Sequence, residues 1–374
     1  LLVDDVLAGL QRLAHWYCAQ LGIPVIAITG SNGKTSTKDL TRAVLSQKFA
    51  VNATKGNFNN HIGLPLTVLS TEEDHEVGIF EMGMSNPGEI APLCQIAPPD
   101  ISIITNVGSA HIENMGSKEA IAEEKGEVAK ALKPAGSLLV PANCEFVEYY
   151  KDRTSGRVVP VGNGRGVVRA ENLQSGSNGS NFDLVIDGQG RIPASIPVTG
   201  RHMVSNAMLA AAAGHVMGLS LEEIAVGLSS AELTSGRLRQ FASEGVQVID
   251  DTYNANPESV AAAIETLAGL PAEGRRVVCL GIMAELGEHA SAAYQSLGEL
   301  VAARGLDQLL VVGEEARELA ETARAAGVSV EFFQEAAPAA EWLKSHTSAG
   351  DLVLFKGSRA AAMERVMNLS YPES

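Results

Sequence analysis

The sequence is poor in cysteine. Cys18, Cys94, Cys144 and Cys279 lie far apart and in no paired spacing, which excludes a zinc-ligand pattern or a disulfide framework and fits a reducing cytosol. Positive charge is also scarce: 28 Lys and Arg stand against 44 Asp and Glu, a formal net charge of −16, which disfavours a nucleic-acid partner. A polyanionic substrate must then be met by locally placed Lys, Arg or metal. No apolar run approaches a membrane span, and the N-terminus lacks the basic-then-apolar layout of a secretory signal. There are no internal repeats, and no low-complexity segments beyond alanine-rich helices. What is present is 374 residues at 45% apolar content, more than one core normally holds, so two domains are expected.

The most informative stretch is Val25-Ile-Ala-Ile-Thr-Gly-Ser-Asn-Gly-Lys-Thr-Ser-Thr37. A charge-free β-branched run predicts a buried parallel strand, and Gly30 and Gly33 allow the chain to turn tightly against a ligand. A helix then opens at Lys34, Thr35 and Ser36. Its unpaired N–H groups, with those of Ser31 and Asn32, are suited to a polyphosphate, with Lys34 as a mobile cation and the Thr35 hydroxyl as a magnesium ligand. The glycines are closer together than in the general P-loop pattern, and Ile28 stands where its first glycine belongs. An ordinary strand-turn-helix is the plain alternative.

Residues 4–21 have the apolar spacing of an amphipathic linker helix, and Thr35–Ser46 that of the cradle helix. Between them and the next strand lies a polar loop with Asn57, Asn59, Asn60 and His61, placed for ligand contact. The strand Val77–Phe80 ends at Glu81, and Ile101–Ile104 runs into a loop ending at His111. Ligands gather at the carboxyl ends of parallel strands, so Glu81 and His111 are expected on the rim that carries Lys34, as metal ligands. A helix is predicted over 117–132, its charges mostly on a solvated face. Residues 143–197 are read as antiparallel strands or excursions off the main sheet. Beyond residue 234, strands near 246–249, 276–280, 308–312, 328–332 and 351–355 alternate with helices, the rhythm of a doubly wound domain. The expected architecture is α/β: a linker helix or domain remnant at 1–21, a P-loop-type ATPase domain with a parallel sheet at 22–234, and a Rossmann-like domain at 235–374.

Several stretches in fixed order carry a resemblance: Thr29-Gly-Ser-Asn-Gly-Lys-Thr35, Gly56-Asn-Phe-Asn-Asn-His-Ile-Gly-Leu-Pro65, Phe80-Glu-Met-Gly83, Thr105-Asn-Val-Gly-Ser-Ala-His111, Gly236-Arg-Leu-Arg239, Asp250-Asp-Thr-Tyr-Asn-Ala-Asn-Pro257 and Lys356-Gly-Ser-Arg359. From about residue 20 to 368 the chain resembles the Mur ligases, and within them the member that adds D-alanyl-D-alanine to UDP-MurNAc-tripeptide. The resemblance implies a cytoplasmic, monomeric ATP-dependent ligase of peptidoglycan precursor synthesis, working through an acyl phosphate. It implies that Lys34 and the cradle amides hold the β- and γ-phosphates, that Thr35 and Glu81 bind one Mg2+, and that His111 binds a second. Lys125 falls where related ligases carry a carbamylated lysine. Arg237 corresponds to an arginine that reaches the γ-phosphate, Asp251 to the ribose contact with Tyr253, Asn254 and Asn256 close by, and Asn206 to an adenine contact. Lys356, Ser358 and Arg359 become candidates for the peptide carboxylate and the dipeptide.

Some positions depart from the family pattern. Met203 replaces a second asparagine, Ile282 an aspartate, and His61 a residue that is often glutamate. Little chain precedes the cradle, where such ligases carry a uridine-binding domain, and the first residue is leucine, so a chain trimmed of that domain is expected. Another Mur-superfamily ligase, such as a folate-polyglutamate enzyme, and a non-catalytic nucleotide-binding module are the alternatives.

Overall fold

The computed structural model describes residues 2–372. Leu1, Glu373 and Ser374, at the outer ends of the expected linker helix and C-terminal domain, lie outside the described residues. The chain gathers into two compact units, one formed by the chain up to Gln174 with Ser180–Pro197 and His202–Glu232. The other is formed from Leu233 onward with the short pieces Ser175–Gly179 and Val198–Arg201. Among the described residues no helix is long and apolar enough to cross a membrane.

The first unit is built on nine strands: β1 (Val25–Thr29), β2 (Val51–Ala53), β3 (Val77–Glu81), β4 (Ile101–Ile104), β5 (Ser137–Pro141), β6 (Arg157–Asn163), β7 (Val168–Gly176), β8 (Gly179–Ile186) and β9 (Gly190–Ile196). Their order is β2-β3-β1-β4-β5-β6-β7-β8-β9. β1 is buried throughout and runs parallel to β3 and β4, with Ile28 opposite Glu81 and Thr29 opposite Ile104. That register puts the loops after the three strands at one edge, where parallel sheets collect ligands. The linker helix is observed as Val6–Leu21, capped by Asp5, and packs Ala14 and Cys18 into a core with Leu64, Phe80 and Tyr150.

Two readings of this unit need correction. Residues 143–197 do not leave the main sheet: β6 adds in parallel to β5 and β7 to β6, and the antiparallel pairing, the other reading, holds for the β8–β9 hairpin at the sheet's end. Val159 and Val161, on one face of β6, are buried there, and Val158 and Pro160, on the other, are half-buried. The helix expected over 117–132 is two short segments, Lys118–Lys125 and Glu127–Lys130, meeting at Gly126. Nor are its charges all solvated. Glu124 is buried and accepts from the Gly88 and Ile90 N–H groups, each at 2.7 Å, holding the start of the helix Ile90–Ile96. A carboxylate that satisfies two amides is stable inside where a free one is not.

The second unit has β10 (Arg239–Ser243), β11 (Val246–Asp251), β12 (Arg276–Gly281), β13 (Gln308–Val312), β14 (Val330–Phe333) and β15 (Leu352–Lys356), in the order β10-β11-β15-β12-β13-β14. All neighbours pair in parallel except β10, which is antiparallel to β11. β11 and β15 are adjacent, so their last residues, Asp251 and Lys356, stand opposite one another.

Glu124→Ala leaves two amides unmet and is expected to cost about 2–4 kcal/mol, read as a lower urea midpoint for the first unit. Glu124→Gln, which keeps one acceptor oxygen, should lose less.

Candidate active site

The cradle is held from behind. Gly30 has φ 152°, and a Cβ there would stand 1.8 Å from Thr105 Oγ1; Gly33 has φ 78°, and its Cβ would stand 2.6 Å from Asn206 Oδ1. Both places therefore require glycine. The loop after β4 pins the turn: Asn32 N–H donates to Asn106 Oδ1 at 2.9 Å, Asn106 Nδ2 donates to Asn32 O at 3.1 Å, and Thr105 Oγ1 donates to the same carbonyl. Ser31 Oγ accepts from Gly108 N–H at 2.8 Å. The helix Lys34–Leu45 follows, with Thr35 and Ser36 buried in its first turn, and Lys34 Nζ donates back to Gly30 O at 2.7 Å. Helix-start amides and a flexible cation thus share one rim, an arrangement suited to phosphate oxygens.

Beside the cradle lies Glu81, the last residue of β3 and almost fully buried. Thr35 Oγ1 stands 3.4 Å and Asn59 Nδ2 3.5 Å from Glu81 Oε2. Glu81 Oε1 has no hydrogen-bond partner, although Lys38 Nζ stands 3.9 Å away. Lys38 is itself buried, donates to Thr54 O at 3.0 Å and pairs with Asp39 at 3.0 Å. A buried, under-satisfied carboxylate oxygen next to a hydroxyl fits a hard cation such as Mg2+. Among the described residues no group of three or more His, Cys, Asp and Glu side chains gathers as a metal site.

His111 sits in the left-handed region at φ 64°, heading the short helix Ile112–Met115, at the far end of the loop that pins the cradle. Lys125 is fully buried. Burial first, then the Lys34 cation, push its ammonium well below the ordinary lysine value, against an opposing pull from Glu124. Asn206, buried, reaches Gly33 and donates weakly to Met203 Sδ at 3.8 Å.

The polar loop divides. Asn59 meets Glu81, whereas Asn60 Oδ1 accepts from Ile62 and Gly63 N–H at the start of the helix Gly63–Leu69. Asn57 and His61 are exposed, and His61 O accepts from Gln11 Nε2.

In the second unit Lys356 is not a free rim cation. It is buried, and Nζ donates to Asp251 Oδ2 at 2.6 Å and to Asn254 O at 2.9 Å. Burial lowers its pKa, the Asp251 charge and hydrogen bond oppose that, and the nearby Arg237 adds to the lowering. Asn254 itself is exposed. Ser358 is buried with its hydroxyl unpartnered, and Arg359 is exposed and pairs with Glu364 at 2.9 Å. Arg237 lies over the Tyr253 ring, 4.2 Å from its centroid. The pins Thr105 and Asn106 and the buried Lys38 had no role in the sequence reading. Lys38 could have been found, since it lies one turn after Lys34 on the same helix face.

Comparison with known proteins bears on what this arrangement does. Residues 28–214 match the Mur ligase middle domain, and residues 236–359 match the Mur ligase, glutamate ligase domain. The UDP-N-acetylmuramoyl-tripeptide--D-alanyl-D-alanine ligase of Bacillus subtilis (strain 168) is 38% identical over 372 residues, covering 98% of this chain and 80% of the relative. That of Escherichia coli (strain K12) is 34% identical over 374 residues, covering 98% and 81%. Among solved structures, MurF from Acinetobacter baumannii superimposes with a TM-score of 0.92 at 32% identity, over 99% of this chain and 81% of that one. The MurF ligase from Thermotoga maritima in complex with ADP gives 0.90 at 29% identity, over 99% and 84%.

Asn106→Ala removes both side-chain bonds to Asn32. The Asn32 amide should then exchange with solvent about tenfold faster or more, the equivalent of one lost hydrogen bond. An unchanged rate in hydrogen-exchange mass spectrometry would show that the turn holds itself.

Proposed function

The chain belongs to the Mur ligase family, and we propose that residues 22–234 handle the nucleotide phosphates while residues 235–374 handle the ribose and the incoming dipeptide. The reaction is the ATP-dependent joining of D-alanyl-D-alanine to UDP-N-acetylmuramoyl-tripeptide, an amide-forming step of peptidoglycan synthesis. The single observation that best supports this division is the pinned cradle opening onto Glu81, a phosphate seat with a buried, under-satisfied carboxylate beside it. Glu81 and Thr35 would hold one Mg2+, and His111, with Lys125 if carbamylated, a second. Bound there, the metal would supply charge neutralisation for the phosphates and the acceptor carboxylate.

The chain's own groups do the rest. The amides of residues 33–36 and the Lys34 ammonium take the β- and γ-phosphate oxygens, with Asn206 behind them for adenine, while the Ser31 and Asn32 amides, given to Asn106, hold the turn in shape. Arg237 offers a planar, permanently charged fork to the γ-phosphate, and Asp251, with Asn254 beside it, accepts from the ribose hydroxyls. Lys356 serves by fixing Asp251, while Ser358 and Arg359, with Asn57, Asn59, Asn60 and His61, face the peptide substrates. A carboxylate oxygen of the tripeptide attacks the γ-phosphorus and ADP departs. The neutral amine of the dipeptide then attacks the acyl carbon, phosphate leaves with the bonding pair, and the amine proton passes to a carboxylate or to that phosphate.

Lys125 is suited to carbamylation, because only a neutral amine adds to carbon dioxide and burial beside Lys34 favours that form. The cysteines are unpaired, which supports a cytoplasmic setting, and we take the working form to be a monomer.

Phosphate release from ATP and magnesium should appear only with both acceptors present, together with the pentapeptide product by mass. ATP binding without product would favour a nucleotide-binding module instead. With 13C-bicarbonate, a carbamate carbonyl resonance is expected in the natural chain and not in Lys125→Arg. Turnover in that variant should fall by about two orders of magnitude or more; equal spectra would sink the carbamate.

A further inference from the structure

We propose that Tyr253 is the positioning residue for Arg237, its ring face holding the guanidinium ready for the γ-phosphate; this rests on the reading of Arg237 given above. The guanidinium carbon is 4.2 Å from the Tyr253 ring centroid, well inside the range of cation–π attraction. Arg237 Nε is buried and has no hydrogen-bond partner. Other arginines of this unit are held differently: Arg239 stands 3.7 Å from Asp250 Oδ2, and Arg275 pairs with Asp351 at 2.8 Å. A carboxylate fixes an arginine but also cancels the charge a phosphate needs. An aromatic face fixes it and leaves the charge uncancelled.

Asp251, two residues before Tyr253, is occupied. Asp251 Oδ2 accepts from Lys356 at 2.6 Å, so it is already committed to another cation. The backbone adds to the fixation. Arg237 is flanked by Gly236 at φ 75° and Leu238 at φ 55°, the latter buried and in a region that residues with side chains occupy only when their surroundings enforce it. Tyr253 N–H donates to Gly236 O at 3.3 Å, and a Cβ on Gly236 would stand 3.1 Å from Tyr253 Cβ. Ring and main chain of one tyrosine thus hold the segment that carries the arginine.

The test measures the affinity of the full chain for ADP and for adenylyl imidodiphosphate, both with magnesium, by calorimetry. ADP lacks the γ-phosphate and serves as the internal control for folding. Tyr253→Leu should weaken the imidodiphosphate by about 3- to 30-fold, the span of a cation–π contact, and leave ADP unchanged. Tyr253→Phe, which keeps the ring face, should stay within about twofold of the natural chain for both ligands. Equal weakening of both nucleotides by Tyr253→Leu, or no weakening of either, overturns the proposal. Arg237→Ala is measured alongside. If it loses selectivity while Tyr253→Leu does not, only the tyrosine's role falls; if Arg237→Ala keeps its selectivity, the γ-phosphate reading itself falls and takes the proposal with it.

Discussion

Main-chain N–H groups can hold a phosphate only when the turn that bears them is kept from collapsing, and here that demand falls on Gly30 and Gly33. The room a side chain would take at each is filled from elsewhere in the unit, by Thr105 behind Gly30 and by Asn206 behind Gly33. Thr105 can reach because β4 lies beside β1, and Glu81 because β3 lies on its other side. Sheet order is therefore what assembles the site. The helix Arg201–Val216 completes it from a distant part of the sequence, buried along most of its length by small residues that let it approach closely.

An acidic chain that must bind polyanions keeps its important cations inside. Lys38, Lys125 and Lys356 are all buried, yet their surroundings differ. Lys38 meets Asp39 and a carbonyl, and Lys356 meets Asp251 and a carbonyl, so each has the paired, hydrogen-bonded setting that a buried charge requires. Lys125 has Lys34 as a repelling neighbour, and Glu124, the attracting one, already accepts from two backbone amides. Lys125 lacks the carboxylate partner that Lys38 and Lys356 have, and burial and the Lys34 cation push its pKa well below the ordinary lysine value. A buried amine whose neutral form is favoured in this way is chemically more available than one held in an ion pair.

The strand-turn-helix around residues 25–45 was legible because its apolar run, glycines and polar helix start each have a local cause. So was the parallel rhythm of the second unit, written in alternating strands and helices. The short β2 and the edge strand β10 were not read, since Val51–Ala53 and Arg239–Ser243 owe their conformation to neighbours in the sheet rather than to their own pattern. The burial of Glu124 and Lys125 was hidden for the same kind of reason. A run of charges looks solvated until a second element supplies partners, and Gly88 and Ile90 are far away in sequence. Lys356 looked like a rim cation because the register that sets it opposite Asp251 is a property of the β11–β15 pairing, which no local spacing reveals.

The three departures from the family pattern are explained by what the structure uses at each position. Ile282 contributes its carbonyl, which accepts from Ser358 N–H at 2.9 Å, and any residue supplies that. His61 likewise contributes a carbonyl, to Gln11 at 3.0 Å. Met203 does use its side chain: its sulfur, buried, takes a weak hydrogen bond from Asn206 Nδ2, a soft acceptor where an amide would be a hard one. None of these exchanges leaves a new buried charge, the change that costs most inside a protein. Ile282 in particular keeps the Lys356–Arg359 loop attached to β12 by a main-chain bond indifferent to its side chain. Its loss of the aspartate is therefore no sign of a decayed site, and the case for a non-catalytic module loses the residue that most favoured it.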